Sequence, residues 1–88
     1  MKSPIDIKLA TTWWWFSFCD GELPEGSRFL GVALLPGDTQ EEALTWSWVH
    51  GVNPGGEVLI LGPIEASKVP PEQPLGVLMT REEVEAMP

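Results

Sequence analysis

The segment Thr11-Thr12-Trp13-Trp14-Trp15-Phe16-Ser17-Phe18-Cys19 is the strongest constraint on how this chain can fold. Bulky aromatic side chains and β-branched threonines suit a pleated strand and lose rotamer freedom in a helix. Strand side chains alternate between two faces. Trp14, Phe16 and Phe18 therefore share one face, and Trp13, Trp15, Ser17 and Cys19 the other. In 88 residues, 43 % of them hydrophobic and 20 % charged, such a strand belongs to one small domain with a buried core, not to a disordered chain.

The remaining elements follow from punctuation. Asp20-Gly21-Glu22-Leu23-Pro24-Glu25-Gly26-Ser27 reads as a loop closing a hairpin onto a second strand over residues 28–35, which Pro36-Gly37 ends. Asp38 or Thr39 can cap a helix. Glu41 would complete the capping box for an Asp38 cap, and Glu42 for a Thr39 cap. The helix runs to about His50, with Gly51 as its left-handed terminator and Val52 as the apolar contact. Asn53-Pro54-Gly55-Gly56 fits a type II turn. A third strand over residues 57–61 ends at Gly62-Pro63.

Beyond Pro63 the character changes to a proline-rich tail containing Pro70, Pro71 and Pro74. Leu75-Gly76-Val77-Leu78 offers a short strand or anchor, and Thr80-Arg81-Glu82-Glu83 starts a short helix through Met87. The expected architecture is α+β, a β-β-α-β core over residues 1–63. Its antiparallel sheet of three to four strands packs on one helix, and residues 64–88 form a wrapping tail.

Five tryptophans and no tyrosine focus attention on aromatic surface. If the helix covers Trp14, Phe16 and Phe18, then Trp13 and Trp15 lie on a face with no helix assigned to it. On the helix, Ala43 and Ser47 form a narrow strip of small side chains flanked by Trp46 and Trp48, while Glu41, Glu42 and Thr45 face away. These rings are either core and subunit interface or the walls of a site that stacks a planar ligand. Large exposed apolar patches are rare on monomers, so a homodimer or larger assembly is expected.

Charge and chemistry narrow the classes further. A net charge of −8 lacks the basic footprint of a nucleic-acid binder or an anionic-membrane binder. Cys19 is the single cysteine, which precludes an internal disulfide. His50 is the single histidine, so a structural zinc site lacks ligands, and no cofactor is expected. No nucleophile sits in a triad signature, and Glu41/Glu42 and Glu82/Glu83 diverge on their helices. The chain is read as non-enzymatic. Met1–Lys8 alternates in charge without an apolar stretch, so no signal peptide is expected. The longest apolar runs fall far short of the roughly 20 residues that span a bilayer. The expectation is a soluble cytoplasmic protein.

For a ligand, the candidate residues are Trp13, Trp15, Arg28, Trp46, His50, Asn53, Gly55 and Gly56. The rings would stack on a base, and the glycine amides with Arg28 would meet phosphate, helped by Lys8 and Lys68. The same loop is equally a turn that sets the helix–strand angle. It matches neither the P-loop nor the dinucleotide fingerprint.

Trp14-Trp15-Phe16-Ser17-Phe18, Arg28-Phe29-Leu30-Gly31-Val32, a Glu-Glu-Ala helix and Gly51-Val52-Asn53-Pro54-Gly55-Gly56-Glu57-Val58 resemble a family of short uncharacterised phage and prophage proteins. The closing Leu78-Met79-Thr80-Arg81-Glu82-Glu83 is similar too. The resemblance brings no functional residue with it. It implies a phage accessory protein acting in the bacterial cytoplasm, and many such proteins counter host defence. Three functions are therefore in view. The first is sequestration of a small nucleotide-type signalling ligand by a homo-oligomer. The second is an acidic protein–protein inhibitor, possibly a nucleic-acid mimic, that blocks a host defence effector. The third is a structural or assembly accessory of the virion.

Overall fold

The computed structural model describes residues 10–24, 28–70 and 73–85. Along the chain run β1 (Thr12–Cys19), β2 (Phe29–Pro36), α1 (Gln40–Val49), β3 (Glu57–Glu65), a 3-10 turn (Ala66–Lys68) and α2 (Arg81–Glu85). The fold is α+β, as expected. Its antiparallel sheet has the order β2-β1-β3, so the aromatic strand lies in the centre. The strand richest in large side chains thereby gains neighbours on both edges.

Regular pairing of β1 with β2 sets Trp14 opposite Leu35, Phe16 opposite Ala33 and Phe18 opposite Gly31. Opposed residues share a face, and α1 closes this one. Phe16, Phe18, Ala33, Leu35, Ala43, Trp46 and Val52 form the core, with Trp14, Leu30, Leu44, Ile60 and Leu78 against it. The Trp14 indole N–H donates to the Gly37 carbonyl at 2.9 Å, so the ring adds area without an orphaned donor.

Both ends of α1 follow local chemistry. The Thr39 hydroxyl accepts from the Glu42 N–H at 3.2 Å, and the Glu42 carboxylate accepts from the Asp38 N–H at 2.9 Å. At the other end the Val52 N–H donates to the Ser47 carbonyl and the Gly51 N–H to the Trp48 carbonyl. With Gly51 at φ +67, this is the Schellman arrangement.

Three expectations change. Strand β3 does not stop at Leu61. A register shift between Trp13 and Trp15 absorbs Gly62-Pro63, joined by a cis bond, and pairing resumes at Ile64 and Glu65. Pro36 is a member of β2, opposite Trp13. The Gly37 N–H donates to the Thr12 carbonyl, so position 36 faces away from β1, where the missing N–H removes no ladder bond. Third, Trp13 is not an open ring: it is 3 % exposed.

The tail reaches the second face of the sheet as well. Gly76 donates to the Leu34 carbonyl, and Val32 and Met79 exchange both of their backbone bonds. The predicted anchor at residues 75–78 thus extends to Met79 and lines the outer edge of β2. Met79, opposite Val32, lies on the face that α1 leaves uncovered and is 1 % exposed. Val32 and Leu34 are buried there too, and α2 packs against β2. The expected continuation of the last helix to Met87 lies outside the described residues.

Candidate functional site

The loop after α1 is the part of the proposed ligand site that the sequence specifies most tightly, and its polar groups are directed inward. Ser47 is fully buried on the helix, and its hydroxyl donates to the Leu44 carbonyl. The Asn53 amide N–H donates to that same hydroxyl at 3.1 Å, while the Asn53 side-chain oxygen accepts from the Gly55 N–H at 2.8 Å. Asn53 is therefore the clamp between helix and turn. Of the two glycine amides offered to a phosphate, that of Gly55 is already engaged.

Gly55 and Gly56 have φ of +84 and +75, so both use the conformational freedom of glycine. They differ in what surrounds them. A Cβ on Gly55 would meet nothing within 4 Å, whereas one on Gly56 would lie 2.5 Å from the Cys19 carbonyl oxygen. Gly55→Ala is expected to cost about 1 kcal/mol from backbone conformation alone. Gly56→Ala should exceed about 2 kcal/mol, because the β1–β3 junction must also shift. Urea midpoints of the two variants measure the difference.

The expected stacking rings are separated. Trp46 belongs to the core under α1 and is 5 % exposed. His50 stacks on it, with ring centroids 3.9 Å apart and planes at 22°. Trp13 lies on the opposite face of the sheet, at the end paired with Pro36 and Ile64. Trp15 shares that second face and is half-buried. Arg28 is exposed at the hairpin, where its guanidinium donates to the Leu23 carbonyl at 2.9 Å. Lys68 is exposed on the 3-10 turn, and Lys8 lies outside the described residues. What the fold does bring together is His50 with Trp46, Asn53 with Gly55, and Gly56 with the end of β1.

A different surface emerges on β3. Glu57-Val58-Leu59-Ile60-Leu61 reads as a continuous apolar run after one acid, the pattern of a strand covered on both faces. Yet β3 is mostly exposed. Leu59 is 60 % and Leu61 53 % exposed. They stand opposite Ser17 and Trp15 respectively, so Leu59, Leu61 and Trp15 form one apolar strip on the second face. Glu57 and Glu65 are exposed at the two ends of the strand. Trp48, 60 % exposed on α1, and Val49 beside it form a smaller apolar spot. Sequence alone does not mark the β3 surface, because a continuous apolar run signals burial. Only the strand order, which puts β3 at the edge, reverses that meaning.

Among the described residues, no group of three or more His, Cys, Asp or Glu side chains is placed to hold a metal ion. No helix among them is long and apolar enough to cross a membrane. No family model, curated protein or solved structure matches the chain.

Proposed function

We propose that this chain is a non-enzymatic, acidic protein-binding module that inhibits a basic protein by covering part of its surface. The resemblance to phage and prophage proteins makes a bacterial defence effector the partner class. The observation that carries this reading is β3, an apolar strand exposed along most of its length and bounded by Glu57 and Glu65. Exposed apolar strips of this kind mark interaction surfaces. The surrounding charge of −8 selects a positive partner and speeds its approach.

Sequestration of a nucleotide-type ligand has less support. Two of the rings meant to stack on a base, Trp13 and Trp46, are buried on opposite sides of the sheet. The Gly55 amide is bonded to Asn53, and the net charge opposes an anion.

The two readings separate by salt. A partner is isolated from bacterial extract with the full chain, identified, and its affinity measured across ionic strength. An acidic inhibitor should hold a basic protein, with affinity falling about tenfold or more between about 50 and about 300 mM salt. A bound mass of a few hundred daltons by native mass spectrometry, held with little salt dependence, would overturn the proposal in favour of ligand sequestration.

A further inference from the structure

The sheet has two edges, and the fold treats them differently. At β2 the chain supplies its own pairing segment, since Gly76 and Met79 bond to Leu34 and Val32. At β3 no strand follows among the described residues.

The groups facing outward on β3 can be read from the ladder. Gly37 donates to the Thr12 carbonyl, so Thr12, and by alternation Trp14 and Phe16, direct their backbone groups to β2. Trp15 and Ser17 then direct theirs to β3, where they meet Leu61 and Leu59. Val58 and Ile60, set between and beside these two, turn their N–H and C=O groups to the free edge. The Leu59 and Leu61 side chains stand on the second face beside that edge, and Val58 and Ile60 on the other.

We infer that β3 recruits its partner by strand addition. An extended apolar segment of a basic protein, carrying lysine or arginine near both ends, pairs with Val58 and Ile60. This rests on the reading of the chain as an acidic protein-binding module and adds the mode of recognition. Main-chain bonds supply the pairing, and alternate side chains supply selectivity. Side chains of the incoming strand on the second face extend the strip of Leu59 and Leu61. The cationic ends meet Glu57 and Glu65, both exposed. Charge argues against a second copy as the occupant, because it would bring a further net charge of −8 and its own Glu57 and Glu65 to the same edge.

The test follows backbone amides of the isotope-labelled full chain by NMR. It is titrated with a synthetic peptide of alternating valine and threonine ending in lysine at both termini, and with the same peptide ending in glutamate. The lysine-ended peptide should shift the Val58 and Ile60 amides and slow their exchange by about tenfold. The glutamate-ended peptide should leave them unmoved. Val58→Pro removes an outward donor and no ladder bond, and should abolish the response. Leu59→Lys keeps the backbone intact and should weaken binding about tenfold by placing a cation beside the edge.

Equal binding of the two peptides would overturn the inference. So would shifts confined to other residues, or concentration-dependent protection of Val58 and Ile60 in the protein alone with a doubled mass. The underlying reading fails separately. If a basic partner binds wild type, Val58→Pro and Leu59→Lys equally well, strand addition is wrong and the inhibitor reading stands. If no basic partner exists but the lysine-ended peptide still pairs, the edge chemistry stands and the inhibitor reading falls.

Discussion

Trp13→Ala is expected to destabilise the domain by about 3–5 kcal/mol, the cost typical of removing a buried aromatic side chain. Trp13 is 3 % exposed between Pro36 and Ile64, so its loss leaves a cavity that a paired strand cannot readily collapse around. A domain this small is held by about 5–15 kcal/mol in total, so the loss is a large share of its stability and should lower the unfolding midpoint markedly. Trp15→Ala, on the same face but half-buried, should cost less than half as much and leave a cooperative transition. Urea unfolding followed by circular dichroism measures both. Equal effects would mean that the second face is not closed over Trp13 in solution.

The second large effect is expected at Met79. Its side chain is 1 % exposed, and its backbone exchanges two bonds with Val32, at 2.9 and 2.7 Å. Met79→Ala should cost about 2–5 kcal/mol. Its signature should be regional as well as global. Amide protection at Val32, Gly76 and Met79 should fall by more than at the β1–β3 ladder, because these amides lie at the junction that Met79 anchors. A variant that loses global stability with uniform loss of protection would instead make the tail part of a single cooperative unit.

The sequence announces most of what depends on neighbours in the chain. Thr39 with Glu42, Gly51 with Val52, and Asn53 with Gly55 act over a few residues, and each pattern survives in the fold. What escapes sequence reading is long-range. That β1 sits between β2 and β3 is a matter of topology, because the same three strands in another order would satisfy the same alternation. Two features turn on this. Trp13 lies on the face that α1 leaves uncovered, and Met79, 66 residues later in number, is buried on that same face. The run from Val58 to Leu61 has the continuous apolar character of a covered strand, yet the strand order leaves it exposed.

The candidate ligand site fared by the same logic. Asn53, Gly55 and Gly56 suit the chemistry that glycine-rich loops can perform, and the turn uses them for its own geometry. Trp13 and Trp46 are both large rings, but residue type says nothing about which side of a sheet each occupies. Arg28 is the cation best suited by sequence to an anion, and the Leu23 carbonyl accepts its bond.

The contrast between the two sheet edges also fixes how many strands the molecule can accept. Among the described residues the tail runs along β2 and β3 is the strand left open, so the sheet has a valence of one. Whatever pairs with β3 extends the sheet on that side, while the tail occupies the edge of β2. Two copies meeting edge to edge would form a closed pair with a tail at each extremity. An apolar open strand is ordinarily an aggregation hazard, and here the tail converts it into a single-use socket.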